Sequence, residues 1–365
     1  MFSRMSVNVL LKSVVGLLAT GVVVLLAIGA WDSWNRLGVA TRIMHVADAS
    51  TPLFNALSSL RSDRSTSVRE LQSDKQNGID ATLRDVRVAQ MAALNDGLSA
   101  LRQDDLGQNQ TGVPALAQAI KKQAALHKES ELALQQPKAA RRAGLVQEVN
   151  ESGSALIALV EKLSAELANM VKSEDALVSQ LITIKQQAFA ARGMAGDANL
   201  LLYNGILGQK LPADALAKYS AYIVKADTAW APIEEIATGL PLPGLFREAM
   251  KKAQENFFAP DVVAERLNSL KSIVAGEQTG IDPVAWNKTS LVRLGSLLNV
   301  AVVSLRIIKE HAEEVRAGAQ WKLIVQCGFL MMAVILSLGM LAIITRRVTA
   351  PLRTIQGDHG QARGR

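Results

Sequence analysis

Three arginines and one asparagine are spaced so that a helix would direct them toward its packed face, where such side chains bind small anions. Arg64 follows a row of leucines at steps of three and four, and Arg61 lies about one turn before it. Farther along the chain, Arg192 and Asn199 interrupt a second apolar row beside small residues that leave space. A guanidinium removed from water needs a partner, and a small anion or carboxylate accepts its paired N–H groups. We therefore predict a ligand-binding site made by Arg61, Arg64, Arg192 and Asn199.

Two other interpretations of these arginines stay open at the level of the sequence. Each arginine could form a salt bridge within the domain, for example with Asp63, with Asp197 or with another acidic residue. Each could also lie at the surface, with its aliphatic stem on apolar neighbours and its charge in water. The contacts of the folded chain are needed to choose among the three.

Residue types that catalyse reactions or bind metals do not cluster in the sequence. The four histidines, His45, His127, His311 and His359, are far apart, and the single cysteine, Cys327, lies in an apolar segment. A glycine-rich phosphate-binding loop is also missing from the sequence. We therefore expect neither an enzymatic activity nor a bound metal or cofactor.

The excess of basic residues is concentrated beside two apolar segments. The chain has a formal net charge of +7, but residues 32–320 are electrically balanced, and the excess lies in the flanks. Residues 13–31 and 323–345 carry no charge, and each is long enough to cross a bilayer core of about 30 Å as a helix. Because this distribution is typical of membrane topology, we expect contact with membrane lipid and none with nucleic acid.

The basic flanks also predict an orientation. Positively charged segments beside a span usually stay in the cytoplasm, so we expect a two-pass inner-membrane protein with cytoplasmic termini and with residues 32–320 in the periplasm. Cleavage of the first span as a signal peptide is the alternative, since Ala27 and Gly29 could form a small-residue cleavage site. Trp31 and Trp34 favour a retained helix, because tryptophans anchor spans at the membrane interface.

Residues 32–320 are predicted to be helical almost throughout. They are rich in Ala, Leu, Gln, Lys and Glu, and no long run alternates in the manner of a β-strand. Glycines and prolines predict about eight helices, and the fourth runs from near Lys138 to about Gly208, either continuous or broken at residues 152–154. Pro212, Pro260 and Pro283 are expected in first helical turns, and Asp282 is expected to cap the last helix. The prediction is an all-α fold with two stacked four-helix bundles between two transmembrane helices. The predicted breaks lie at residues 77–78, 106–114, 136–137, 209–212, 239–244, 259–260 and 276–283.

The last predicted helix carries a packing seam toward the second span. Apolar and small residues from Leu291 to Ala319 recur at alternating steps of four and three, and no proline occurs between Val284 and Thr345. This helix is either one packed member of a bundle or a continuous rod that carries a small displacement into the membrane. The second interpretation is favoured by the sequence that follows the span.

The whole layout resembles a bacterial transmembrane chemoreceptor of the methyl-accepting type. Within it, LFNALSSLRSDRS (residues 53–65) and KQQAFAARGMAGDANLLL (residues 185–202) resemble the arginine-bearing helices of nitrate- and nitrite-sensing input domains, and GIDPVAWNKTS resembles the approach to the final helix. The resemblance implies that Arg61, Arg64 and Arg192 are anion ligands. Together with the seam, it also implies a homodimer.

The segment TRRVTAPLRTI resembles the start of a HAMP linker, the coiled element that follows the last span of such receptors. Its Pro-Leu pair is Pro351 and Leu352, and the resemblance covers residues 346–356. Residues 357–365 lack the apolar positions with which a HAMP helix continues. Because a single dropped base permits the continuation ATMARLAA, we expect this tail to be out of frame and the receptor to be truncated before its output module.

The sequence therefore predicts a receptor of the chemotaxis type. It would sense a small anion or another small solute outside the inner membrane and transmit a helix displacement across it. One alternative is that the same input domain belongs to a sensor histidine kinase or a diguanylate cyclase. A second alternative is a structural two-span protein that acts through a partner.

Overall fold

A computed structural model describes residues 7–74, 76, 78–103 and 112–344 of the chain. Every regular element within these ranges is helical, which confirms the predicted all-α class. The predicted HAMP start at Pro351 and Leu352, and the tail at residues 357–365, lie outside the described residues.

Nine α-helices occur within the described ranges. A 3₁₀-helix precedes α4, and a π-helix joins α7 to α8. The bounds of the α-helices are α1 Val7–Gln72, α2 Ala81–Gln103, α3 Gly112–Ala133, α4 Leu145–Val171, α5 Ala176–Ile206, α6 Ala215–Gly239, α7 Gly244–Ala253, α8 Pro260–Val274 and α9 Pro283–Ile344. The 3₁₀-helix is Lys138–Ala140 and the π-helix is Gln254–Phe258.

The predicted fourth helix is divided in the structure, at a position that the sequence analysis did not indicate. Residues 152–154 do not interrupt α4: the Ser154 hydroxyl bonds the Asn150 carbonyl oxygen one turn back, and Gly153 lies against the stem of Arg64. The break comes at residues 172–175, where the Asp175 carboxylate accepts a hydrogen bond from the Val178 backbone N–H at 3.0 Å and begins α5. The described residues therefore form nine α-helices, against about eight predicted.

Of the three prolines predicted to lie in a first helical turn, Pro260 and Pro283 do so, whereas Pro212 lies before α6, which begins at Ala215. Pro260 and Pro283 are the first residues of α8 and α9, positions at which a missing N–H costs nothing. The Asp282 carboxylate caps α9 by accepting from the backbone N–H groups of Val284 and Ala285. After α8, Gly276 has a φ of +79°, a left-handed conformation that glycine adopts without a steric penalty.

The described residues divide into two units. One unit consists of Arg42–His311, and the other contains the residues before and after that range. Within the first unit, one apolar cluster joins α1, α3 and α4, and another joins α5, α6, α8 and α9. The buried members of the first cluster are Leu71, Leu126, Ala133, Leu134, Leu145 and Val149, and those of the second are Ala198, Leu202, Tyr219, Leu270 and Trp286.

The second unit contains the two apolar segments. Both α1 and α9 include a stretch that is long and apolar enough to cross a membrane, and neither stretch is buried by other parts of the chain. Large side chains such as Leu17, Leu25 and Leu336 are exposed there. Ser33 on α1 donates a hydrogen bond from its hydroxyl to the Gln326 side-chain oxygen on α9, with an O···O distance of 2.7 Å.

Candidate functional site

A cavity of about 330 Å³ lies among α1, α4 and α5, inside the unit Arg42–His311. Each helix contributes residues three or four positions apart, which is the spacing that places side chains on one helical face. The lining residues are Phe54, Leu57 and Arg61 from α1, Glu161, Ser164 and Ala165 from α4, and Lys185, Gln186, Phe189, Ala190, Gly193 and Met194 from α5. The cavity is therefore mainly apolar, with a few polar groups at defined positions.

Arg61, one of the four predicted ligands, lines this cavity. Its Nη2 donates to Glu161 Oε1 at 2.7 Å, and its guanidinium carbon lies 4.7 Å from the centre of the Phe189 ring. Gly193 makes room for it, since a Cβ at that position would be only 2.8 Å from Arg61 Nη1. The ion pair with Glu161 corresponds to the alternative of a salt bridge within the domain.

Lys185 is the buried cation of the cavity. Only 4% of its surface is exposed, and its Nζ donates to the neutral hydroxyl of Ser164 at 2.9 Å. Nζ also lies 5.9 Å from the centre of the Phe54 ring, a weak cation–π contact. No carboxylate among the described residues forms an ion pair with it. Burial lowers the pKa of Lys185 to about 8, so the ammonium is still mostly charged at neutral pH.

Arg192 lies two turns after Lys185 on α5 and is also buried, with 9% of its surface exposed. In the part of the chain that the structure describes, its guanidinium forms no hydrogen bond or ion pair. Burial and then the positive charge of Arg61 lower the pKa of Arg192 to about 10, while the negative charge of Asp197 acts in the opposite direction. The region around the cavity thus holds more buried positive charge than its acidic residues balance.

The other two predicted ligands do not line the cavity. Arg64 donates from Nη1 to the Ser154 hydroxyl at 2.9 Å, and its stem packs over Gly153 on α4. Asn199 is half-buried, about two turns beyond Arg192 on α5. Of the four residues predicted from the sequence, the structure therefore brings Arg61 to the cavity and places Arg192 within electrostatic reach of it.

Lys185 was missed at the level of the sequence, although a signal was present. The predicted apolar row on α5 runs through Leu181, Ala188 and Arg192. Lys185 falls between the first two at steps of four and three, so it occupies the same face of the helix. A lysine at a position that the pattern assigns to the core is itself evidence of an unusual environment.

A second buried charged cluster joins α1, α2 and α3. Asp63 accepts from Arg87 Nε at 2.9 Å and contacts His127 Nε2 at 2.7 Å, and Arg87 also donates to the Ser67 hydroxyl at 2.8 Å. Burial acts to raise the pKa of Asp63, but the hydrogen bonds and charges of His127 and Arg87 outweigh it and hold the pKa at about 2. The Asp63 carboxylate is therefore ionised and fully satisfied by protein groups.

Metal binding has no visible basis in the described ranges, since they contain no group of three or more His, Cys, Asp or Glu side chains that could hold an ion. Comparison of the chain with protein-family models, with curated proteins and with solved structures gives no match. The function must therefore be argued from the site and from the two apolar helices.

Proposed function

We propose that this protein is a two-span membrane receptor of the chemotaxis type, whose helical domain binds a small solute outside the inner membrane. The observation that carries the proposal is the cavity among α1, α4 and α5, in which the buried Lys185 has only a neutral hydroxyl as its hydrogen-bond partner. A buried cation without an anionic partner is costly to the fold, and an incoming ligand removes that cost. Cavities of this size with a few polar groups are typical of small-molecule sites.

The membrane part of the proposal is supported by the two apolar stretches in α1 and α9. Positively charged residues lie before the first stretch and after the second stretch in the sequence, and those after the second include Arg346 and Arg347. From the positive-inside rule we propose that both termini are cytoplasmic and that the unit Arg42–His311 is periplasmic. The hydrogen bond between Ser33 and Gln326 is consistent with two spans that pack against each other through a polar contact.

The proposed arrangement of the outer domain is two stacked four-helix bundles. The two separate apolar clusters described above support it, because one joins helices from the first half of the domain and the other joins helices from the second half. The cavity lies where α5 meets α1 and α4, so a ligand there would contact helices from both halves.

Transmission is proposed to run through α1. This helix supplies Phe54, Leu57 and Arg61 to the cavity, and the same helix contains the first apolar stretch. A ligand that draws α1 and α5 together would move α1 by a small amount along or across its packing partners. Pro52 lies inside α1, between the apolar stretch and the cavity residues, and it removes one backbone hydrogen bond of the helix. The proposal therefore requires that the shift passes Pro52 to reach the membrane.

A binding measurement on the full chain in lipid nanodiscs tests the sensing part of the proposal. The panel contains inorganic anions, organic acids, amino acids and neutral solutes, and the readout is thermal unfolding by circular dichroism. A ligand that binds only the folded state raises Tm, by an amount that grows with its concentration relative to Kd. We expect at least one class to raise Tm, and a panel without any shift contradicts sensing.

The native cysteine tests the transmission and homodimer parts in the same sample. Cys327 on α9 is exposed and is the only cysteine of the chain, so a spin label placed there reports one distance between two copies. We expect a defined label-to-label distance that changes when the ligand is added. A signal from isolated labels contradicts the dimer, and an unchanged distance contradicts transmission.

A further inference from the structure

We propose that the cavity among α1, α4 and α5 binds a small organic monocarboxylate with an aromatic or branched apolar body, its carboxylate on Lys185 and Ser164. This inference rests on the proposed sensing function and specifies the chemical class of the ligand. It assigns the central role to Lys185, not to the arginines that the sequence singled out.

The charges around the cavity define the ligand's charge. Three charged side chains line it, and two of them, Arg61 and Glu161, are paired with each other at 2.7 Å. Lys185 is left with a neutral partner, and the nearby Arg192 adds further positive charge. One carboxylate is the complement of this arrangement, since it accepts from both Lys185 Nζ and the Ser164 hydroxyl.

The same arrangement disfavours a zwitterion. The ammonium of an amino acid needs an acidic partner in the cavity, and the only carboxylate in the lining is Glu161. Glu161 is already held by Arg61, so an ammonium would have to displace that guanidinium. A ligand whose only charge is negative meets no such competition.

The apolar walls define the rest of the ligand. Phe54 and Phe189 lie with their ring centres 5.2 Å apart and tilted by 59°, and Leu57, Ala165 and Met194 complete the surface around them. A small inorganic anion would bind the ammonium and leave these side chains against empty space or water. An aromatic or branched body fills the space and gains the energy of apolar burial.

The protonation of Lys185 adds a further expectation. Its ammonium must be charged to bind a carboxylate, and burial lowers the pKa of Lys185 to about 8 in the free protein. The charged groups that face it are Arg61 from α1 and Glu161 from α4, and the two neutralise each other. Affinity should therefore fall as the pH is raised above about 8, while the ligand itself stays ionised.

Titration calorimetry on the full chain in nanodiscs tests this inference with phenylacetate as the probe. The comparison solutes are phenylacetamide, which is the neutral isostere of phenylacetate, nitrate and phenylalanine. We expect phenylacetate to bind and the other three to bind at least about tenfold more weakly, because each lacks the single negative charge or the apolar body. Binding of nitrate or phenylalanine with no binding of phenylacetate overturns the inference but leaves the sensing function standing.

Two variants locate the binding site. Lys185→Met keeps the length of the side chain without its charge, and it should weaken phenylacetate binding at least about tenfold. Ala165→Trp keeps Lys185 and puts a large side chain at a position that lines the cavity, so it should have a similar effect by exclusion. Lys162→Met is the matched control, since Lys162 lies on α4 with 68% of its side chain exposed. Unchanged binding in both cavity variants overturns the inference, whatever the panel shows.

Discussion

Asp63 and Lys185 lie in the same helical unit, and both are almost completely removed from water, with exposed fractions of 1% and 4%. Their surroundings differ. Asp63 accepts hydrogen bonds from four protein groups, so its charge and its lone pairs are matched by the fold. The four partners are Ser67, Arg87, Gln123 and His127. Lys185 has only the Ser164 hydroxyl as a hydrogen-bond partner.

This difference separates a buried charge that the fold itself compensates from one that it does not. The desolvation penalty is of the same kind in both places, but in the Asp63 cluster the fold itself supplies the compensation. In the cavity the Lys185 charge is only partly compensated, and Lys185 lines a space that is large enough for a small molecule. Opposite effects on stability are therefore expected when the two charges are removed.

The largest expected effect is that of Asp63→Asn. It leaves the Arg87 guanidinium buried, with 6% of its side chain exposed and without an anionic partner. Breaking a buried pair in this way usually costs about 3–5 kcal/mol of unfolding free energy. Urea unfolding of the full chain in nanodiscs, followed by circular dichroism, measures the loss.

The control for that variant is Asp48→Asn. Asp48 lies on the same helix and pairs with Lys309 at 2.6 Å, but 39% of its side chain is exposed. Exposed pairs contribute about 0–1 kcal/mol, so this variant should unfold close to the wild type. Equal losses in the two variants would mean that the Asp63 cluster does not differ from a surface pair.

Lys185→Met should have the opposite sign. With burial lowering the Lys185 pKa from 10.5 to about 8, the charged side chain costs the ligand-free protein about 3 kcal/mol at pH 7. Removing the charge should recover part of that, so we expect a gain of about 1–3 kcal/mol in the same urea experiment. Lys162→Met should stay within about 0.5 kcal/mol of the wild type.

The pH dependence of this gain follows from linkage. Between about pH 8 and 10.5 the unfolded chain holds a proton on Lys185 that the folded chain has lost, so wild-type stability rises with pH in that window. The advantage of Lys185→Met is therefore complete below pH 8 and vanishes near pH 10.5. An advantage that does not change across this window would come from packing and not from the buried charge.

The next smaller effect is the loss of stability at acidic pH. The folded pKa of Asp63 is about 2, below the value of 3.8 for an unperturbed side chain. The resulting stabilisation, about 2 kcal/mol, is complete above pH 4 and is lost as the pH falls through 2. The difference in unfolding free energy between wild type and Asp63→Asn should shrink by that amount over this range, and a constant difference would contradict the ionised state of Asp63.

Local features of the fold were predictable from the sequence, and contacts between helices were not. Asp282 and Pro283 mark the start of α9 because capping and the missing proline N–H act within a few residues. The break at residues 172–175 was missed, although Asp175 is a typical N-cap residue, because no glycine or proline accompanies it. Helical spacing indicated an inward-facing Arg64 with Arg61 one turn before it, yet it could not show that Glu161 on α4 would be the partner of Arg61.

The partner of each buried charge depends on which helices pack together and in what register. Asp63 was considered as a partner for the neighbouring arginines, but its partner in the structure is Arg87, which comes from α2. Lys185 lay on the face that the pattern assigned to the core, and its environment became evident only when α1 and α4 were in place. A basic side chain at the cavity was thus predictable, whereas the balance of charge in the cavity lining was not.

The smallest expected effect distinguishes Arg64 from Arg192, two of the three arginines that were predicted to bind the ligand. Arg64 bonds Ser154 outside the cavity, so Arg64→Ala should change phenylacetate affinity by less than about twofold and cost about 1 kcal/mol of stability. Arg192 is buried within electrostatic reach of Arg61, so Arg192→Ala should weaken binding several-fold through the loss of positive potential. Titration calorimetry on both variants measures the difference. A tenfold loss with Arg64→Ala would show that Arg64 reaches the ligand, as the sequence pattern predicted, and would extend the site beyond the cavity toward Ser154.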